Sequence, residues 1–202
     1  MELGEIADRV ARIREQMAKA AAQAGRDENE VLLLAATKMN DAQRVREAIA
    51  AGVDICGENR VQELQEKNAQ GAYDGCPLHF IGHLQKNKAK FLVGTVELIH
   101  SVDSPELMLT INRLAEQRGL TQDILIEVNV GGEAAKSGIP LEAADEMAAK
   151  MAEYPNLRLR GFMTIPPIST ENGGNLRYFA KMYELYVDIK AKKYDNTNID
   201  CL

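Results

Sequence analysis

The sequence predicts an α/β fold, a (β/α)8 TIM-type barrel preceded by a helix, on three observations. Short apolar runs alternate along the chain with segments whose apolar residues have helical spacing. The apolar runs are mostly continuous, which is typical of parallel strands buried on both faces. The chain contains neither the GxGxxG motif of a dinucleotide-binding sheet nor the GxxxxGK[ST] motif of a P-loop. Of the two common folds built from β-α units, the barrel is therefore favoured over the doubly wound sheet.

The predicted elements follow one another in a regular order. A leading helix places Ile6, Val10, Ile13 and Met17 on one face and ends near Gly25. Six strands are predicted over residues 31–36, 53–56, 78–81, 97–100, 124–130 and 157–163. Helices are predicted over residues 42–51, 58–68, 105–118, 141–153 and 178–192, and residues 198–202 begin a seventh strand. Residues 1–202 are expected to form a single domain of about six β-α units that lacks the last strands of the barrel.

Composition excludes several classes of protein. The chain has 24 Lys and Arg residues against 30 Asp and Glu residues, a net charge of −6, which disfavours a nucleic-acid partner. The chain has no apolar run long enough to span a membrane and no signal-peptide pattern at its start. The three cysteines lack CxxC spacing and the three histidines lack metal-ligand spacing. We therefore expect a cytoplasmic protein with no membrane, nucleic acid or metal among its partners.

Chemically capable side chains follow the predicted strands. Lys38, Asn59 and His83 come after strands one, two and three, while Asn129 and Met163 lie at the ends of strands five and six. In a parallel barrel these strand ends converge on the face where active sites are built. Capping and turn chemistry also favours polar residues at such positions, so each residue has a structural interpretation as well.

Lys38 is the candidate with the most specific chemistry. An apolar strand would carry its primary amine to the barrel mouth, where apolar walls would remove hydration from the ammonium and lower its pKa. A neutral amine is a nucleophile that captures a carbonyl as a Schiff base. The alternative is an ordinary surface lysine whose aliphatic stem lies along the protein.

Six short blocks of sequence, in order, place these residues in a wider pattern. They are Thr37-Lys38, Gly57-Glu58-Asn59, Gly82-His83-Leu84-Gln85, Ser101-Val102-Asp103, Asn129 with Lys136-Ser137-Gly138, and Gly161-Phe162-Met163. With these blocks the sequence resembles the YggS/PROSC family of pyridoxal phosphate homeostasis proteins over nearly its whole length. The resemblance implies a barrel similar to the N-terminal domain of alanine racemase, with pyridoxal 5′-phosphate (PLP) held on Lys38 as an internal aldimine.

The same resemblance implies further cofactor-binding residues. Asn59 and His83 match family positions near the cofactor, and Asn129 belongs to a matching block. Lys136 matches a position that exchanges or receives PLP, although a solvated loop lysine is an equal interpretation. Met163 either packs on the cofactor ring or belongs to the core.

Two glutamates near Lys38 are interpreted as structural and are left out of the predicted site. Glu58 is expected to begin a helix, where the dipole favours an anion. Glu63 is expected to pair with Lys67, four residues further along the same helix.

Three functions remain open. The first is a monomeric PLP carrier that holds the cofactor without fast turnover and supplies PLP-requiring apo-enzymes. The second is a PLP-dependent amino-acid racemase, which would need a second base, commonly a tyrosine, on the opposite face of the cofactor. The third is a barrel without PLP that binds a phosphorylated metabolite or a partner protein. No tyrosine follows a predicted strand at the barrel mouth, so the sequence favours the carrier.

Overall fold

A computed structural model describes residues 4–169 and 173–202 of the chain. The chain divides into two compact units, of which the first ends at His79 and the second begins at Phe80. In each unit parallel strands alternate with helices, which confirms the predicted α/β class. The prediction that residues 1–202 form a single domain stays a prediction.

The first unit contains a leading helix and two paired strands. Its elements are α1 (Gly4–Gln23), a 3-10 helix (Glu28–Glu30), β1 (Leu34–Ala36), α2 (Ala42–Ala50), β2 (Ile55–Glu58) and α3 (Val61–Asn68). β1 and β2 are parallel, with Leu34 opposite Ile55. The side chains at the centre of this unit are fully or almost fully buried: Val45, Cys56, Leu64 and Ala72.

Local interactions explain why these helices form where they do. The Asp41 carboxylate accepts a hydrogen bond from the Arg44 backbone N–H at 2.8 Å and so caps α2. Arg14 on α1 forms an ion pair with Asp54 at 2.6 Å and donates to the Gly52 carbonyl at 2.7 Å. Arg14 therefore attaches the leading helix to the connection between α2 and β2, and the predicted leading helix is confirmed.

The second unit continues the same alternation. Its elements are a 3-10 helix (Lys86–Phe91), β4 (Leu98–Val102), α4 (Pro105–Arg118), β5 (Gln122–Glu127), a 3-10 helix (Leu141–Ala143), α5 (Ala144–Ala149), a 3-10 helix (Lys150–Glu153), β6 (Leu157–Met163), α6 (Leu176–Lys192) and β7 (Thr197–Cys201). β3 (Leu78–Phe80) lies at the boundary between the units. The strands β4, β5, β6 and β7 pair in that order, all parallel. No helix in the described part of the chain is long and apolar enough to cross a membrane.

Some predicted boundaries are wrong. The helix expected over residues 58–68 begins at Val61, because Glu58 is still the last residue of β2. The strand expected over residues 124–130 ends at Glu127, because the Asn129 N–H turns to the Ile139 carbonyl at 2.9 Å. The helix expected over residues 141–153 is interrupted by two tight 3-10 turns around α5.

An ion network ties three strands of the second unit together. The Asp123 carboxylate on β5 accepts from Arg158 and Arg160 of β6, each at 2.7 Å. Arg160 also reaches Asp200 of β7 at 2.6 Å. Bidentate arginine contacts are geometrically specific, so this network supports the register of β5, β6 and β7.

Gly161 marks the closest approach between β6 and β7. The register of β6 against β7 shifts between Leu159 and Gly161. Gly161 has φ +149°, and a Cβ built on it would lie 1.8 Å from the Cys201 carbonyl oxygen. Only glycine fits this position without moving the backbone.

We expect Gly161→Ala to lower the free energy of unfolding by about 2–5 kcal/mol, because it adds a backbone clash to an unfavourable φ. In thermal unfolding each kcal/mol corresponds to a Tm decrease of about 2–4 °C for a chain of this size. Gly4→Ala is the control, since a Cβ at Gly4 meets nothing within 4 Å. Equal Tm values for the two variants would contradict the close approach of β6 and β7.

Candidate functional site

Lys38 lies just beyond the end of β1 in the first unit, as predicted. Its side chain is exposed, so the apolar enclosure expected for its amine is not observed. Among the described residues no carboxylate or other polar group pairs with the amino nitrogen, whereas both other lysines of the first unit, Lys19 and Lys67, form ion pairs. The Lys38 amine is therefore available to a ligand.

Lys38 is the second residue of a tight turn. The Asn40 N–H donates to the Thr37 carbonyl at 3.2 Å, and the Asn40 side-chain amide donates to the Lys38 carbonyl at 3.0 Å. Met39 has φ +61°, a left-handed conformation that costs a non-glycine residue about 1–2 kcal/mol. This turn must therefore be stabilised by contacts with the rest of the unit.

Glu58 supplies part of that stabilisation, and its interpretation as a helix-opening residue is wrong. It is the last residue of β2 and its side chain is fully buried. Its Oε1 accepts hydrogen bonds from Thr37 Oγ1 at 2.8 Å, Lys67 Nζ at 2.5 Å and Tyr73 OH at 3.1 Å. Its Oε2 accepts from the Asn59 N–H at 3.2 Å. Four donors thus satisfy a carboxylate that has no access to water.

The predicted pair of Glu63 with Lys67 is confirmed, with 3.2 Å between Oε2 and Nζ. Glu63 has a second contact that the sequence did not indicate, because its Oε2 also accepts from the Met39 N–H at 2.9 Å. This backbone hydrogen bond, followed by the hydrogen bond and charge of Lys67, holds the pKa of Glu63 below its ordinary value. Glu63 is therefore ionised at neutral pH while it holds the turn.

Asn59, the other predicted site residue of the first unit, follows β2 directly. Its Oδ1 atom is buried and has no hydrogen-bond partner in the described chain. Buried polar side-chain atoms are nearly always paired, so an unpaired one indicates a missing partner such as a ligand.

Asn129 and Lys136 are brought together in the second unit. The Asn129 side-chain amide donates to the Glu133 carbonyl at 2.8 Å and, at 3.4 Å, to the Lys136 carbonyl. The Lys136 ammonium pairs with Glu133 at 2.6 Å and donates to the Pro166 carbonyl at 3.1 Å. Lys136 is therefore a half-buried lysine that ties its loop to the segment after β6. Both residues line a cleft of about 210 Å³, together with Glu127, Val128, Ala135, Ser137 and Ile165.

Met163 and His83 occupy different positions in the same unit. Met163 ends β6 opposite Glu127, and its carbonyl accepts from the Val128 N–H at 2.8 Å. His83 is 59% exposed, with its Nδ1 3.8 Å from an Asp103 carboxylate oxygen. His83 is not among the residues that line the cleft beside Asn129.

Sequence reasoning missed Glu127, and it named Ser101 only as part of a motif block without assigning it to the site. These residues lie in β5 and β4, near the carboxyl ends of the strands. Glu127 Oε2 and Ser101 Oγ are buried without a partner among the described residues. Burial raises the pKa of Glu127, and the negative charge of Asp103 raises it further. The hydrogen bond with Ser137 and the charge of His83 lower the pKa but do not cancel this effect. The sequence feature that could have identified Glu127 is a carboxylate directly after the apolar residues 124–126.

Comparison with known proteins identifies the family of this chain. Residues 8–199 match the alanine racemase N-terminal domain family. A relative from Aquifex aeolicus (strain VF5), named pyridoxal phosphate homeostasis protein, is 43% identical over 186 residues, which are 92% of this chain and 81% of that protein.

Solved structures show the same fold. An unknown protein from Bifidobacterium adolescentis superposes with a TM-score of 0.89 at 35% identity, covering 96% of this chain and 82% of that one. PipY of Synechococcus elongatus PCC7942, solved with PLP bound, has a TM-score of 0.78 at 27% identity over 93% of this chain and 83% of PipY. The predicted resemblance is confirmed, and so is an α/β fold of the alanine racemase N-terminal type, with parallel strands alternating with helices. The chain therefore belongs to the alanine racemase N-terminal domain family, among the pyridoxal phosphate homeostasis proteins.

Proposed function

We propose that this chain binds PLP through Lys38 and serves in PLP homeostasis, holding the cofactor without fast turnover. The observation that carries the proposal is a primary amine at the end of a parallel strand that has no partner among the described residues, in a turn fixed by a buried ion network. The relative named for PLP homeostasis and the PLP-bound structure of PipY support it.

The residues of each unit fit such a cofactor. PLP supplies an aldehyde, which condenses with a primary amine to form a Schiff base and release one water molecule. The cofactor also carries polar ring and phosphate groups that need hydrogen-bond partners. Three buried atoms that lack partners lie near the carboxyl ends of strands: Asn59 Oδ1, Ser101 Oγ and Glu127 Oε2. Sites that bind small molecules combine such strand-end positions with a few polar groups.

The roles of the individual residues follow from their contacts. Lys38 supplies the amine, which must be neutral to attack a carbonyl carbon. Asn59 offers a buried amide oxygen that can accept a hydrogen bond. Lys136 can exchange or receive PLP only after leaving Glu133, because its ammonium is committed to that carboxylate. We retain Asn129, His83 and Met163 as further residues that contact the cofactor.

We further propose that residues 1–202 act as one PLP-binding domain, as a monomer in the cytoplasm, and supply PLP to apo-enzymes that require it. The net charge of −6 and the free Lys38 amine are compatible with a carrier of a small cofactor. These partners follow from the resemblance to PLP homeostasis proteins.

We expect borohydride reduction after incubation with PLP to leave the pyridoxyl group on Lys38. Peptide mass mapping locates the adduct, and the visible absorbance band of the Schiff base should disappear on reduction. Lys38→Ala should abolish both signals, whereas Lys136→Ala should keep them. An adduct on Lys136 alone would overturn the assignment of Lys38, and a protein that stays colourless with PLP would favour a barrel that binds another ligand.

We expect negligible racemisation by the PLP-loaded chain. Racemisation needs proton-transfer groups on both faces of the cofactor, and Lys38 supplies one. All six tyrosines lie on helices or in segments that precede strands. Chiral chromatography after incubation with L-alanine or L-serine measures the reaction, with free PLP as the control. Turnover of about 10 per second, a typical enzymatic rate, would contradict a carrier.

We expect Glu127→Gln to raise Tm at pH 7–8 and to change it little at pH 4. Each kcal/mol gained in the free energy of unfolding corresponds to a rise in Tm of about 2–4 °C for a chain of this size. The raised pKa of Glu127 means that the folded state favours the protonated carboxyl. Its contribution to stability is therefore present at low pH and is lost as the pH rises above the unfolded value of about 4.3. Glutamine is neutral throughout.

The control for this substitution is Glu116→Gln, because Glu116 is an exposed glutamate on α4 of the same unit. Thermal unfolding at pH 4 and pH 8 should separate the two variants. A lower Tm for Glu127→Gln at pH 8 would show that the buried carboxylate is stabilising.

A further inference from the structure

The turn that carries Lys38 is held on both sides by one buried ammonium and its partner. Lys67 Nζ donates to the Thr37 carbonyl at 2.8 Å, directly before Lys38. Glu63, which pairs with the same ammonium at 3.2 Å, accepts from the Met39 N–H directly after Lys38. The two backbone groups that flank the Lys38 residue are thus fixed by side chains of a single helix, α3.

The Lys67 ammonium has no hydrogen-bonding capacity left for any other task. A lysine ammonium has three N–H donors. Here they go to the Thr37 carbonyl, Glu58 Oε1 and Glu63 Oε2. Lys67 is only 6% exposed, so its side chain is held inside the unit and does not extend into solvent as a surface lysine does.

The conformation of Met39 shows why the turn needs the contacts from Lys67 and Glu63. Its φ of +61° is unfavourable for a side chain with a Cβ, and the turn residues alone provide only two hydrogen bonds, both from Asn40. Without the contacts from α3 the turn would spend less of its time in this conformation. The Lys38 amine would then leave the position from which it meets an aldehyde.

We propose that Lys67 is a positioning residue for Lys38: together with Glu63 it clamps the residues on both sides of Lys38 and so orients the amine that carries the cofactor. This inference rests on the proposed PLP-binding function. It assigns a role to two residues of α3 that do not touch the cofactor themselves. Glu58 anchors the clamp by fixing the position of the ammonium.

The test measures the PLP concentration that half-saturates Lys38, by borohydride trapping and peptide mass mapping at a temperature well below each variant's Tm. Lys67→Met and Glu63→Ala should each raise this concentration about tenfold, because the binding-competent fraction of the turn falls. Glu63→Gln should stay within about twofold of the unmodified chain, since its amide oxygen still accepts from the Met39 N–H. Glu63 is 22% exposed, so its variants remain informative where Lys67→Met fails to fold.

The matched control is Arg14→Met, which also removes a cation that bridges a carboxylate and a backbone carbonyl in the first unit. Its partners Gly52 and Asp54 precede β2, at the opposite end of the parallel strand pair from the turn. This variant should lower Tm without changing the half-saturating concentration. Equal trapping in Lys67→Met, Glu63→Ala and the unmodified chain would overturn the positioning role alone, as would an equal loss in Arg14→Met. Absence of any Lys38 adduct in the unmodified chain would instead overturn the proposed function and this inference with it.

Discussion

The buried ion pair between Glu58 and Lys67 is the interaction on which the functional end of the first unit depends. A carboxylate and an ammonium removed from water stabilise a fold only when their remaining hydrogen bonds are also satisfied. Here both Glu58 oxygens have donors and all three Lys67 donors have acceptors. Because these partners come from the ends of β1 and β2 and from α3, the pair specifies how the three elements meet.

Two lysines of the same unit show how surroundings decide chemistry. Lys67 is buried with every N–H donated, so its nitrogen has no lone pair to offer a carbonyl carbon. Lys38 is exposed and unpartnered among the described residues, so its amine is open to a ligand. Sequence spacing identified Lys38 by its place after a strand, whereas the structure adds the contact between Lys67 and the Thr37 carbonyl, directly before Lys38.

The fold was largely predictable because the spacing of apolar residues along the chain differs between helices and buried strands. Continuous apolar runs and helical spacing located seven strands and the main helices, with errors of a few residues at their ends. The role of Glu58 was not predictable in this way. Helix-dipole reasoning considers only neighbours along the chain, whereas the contact between Lys67 and Thr37 joins residues 30 positions apart. Long-range hydrogen bonds of this kind leave no periodic trace in a single sequence.

Long-range contacts also explain why Glu127 of the second unit was not predicted as a site residue. Asn129 and Lys136 were recognised from motif blocks, and they do share a cleft, but Glu127 beside them was placed inside the strand predicted over residues 124–130. Its distinguishing property is an unsatisfied buried oxygen, which exists only once the chain is folded. In this protein the satisfied buried polar groups, such as Glu58, hold the scaffold. Of the four unsatisfied buried atoms in the described residues, those of Asn59, Ser101 and Glu127 lie near strand ends, and that of Asn175 lies at the start of α6. Since leaving a buried polar atom unpaired costs stability, each of these strand-end atoms, taken within its own unit, is a position where a polar ligand or a water molecule would add a hydrogen bond.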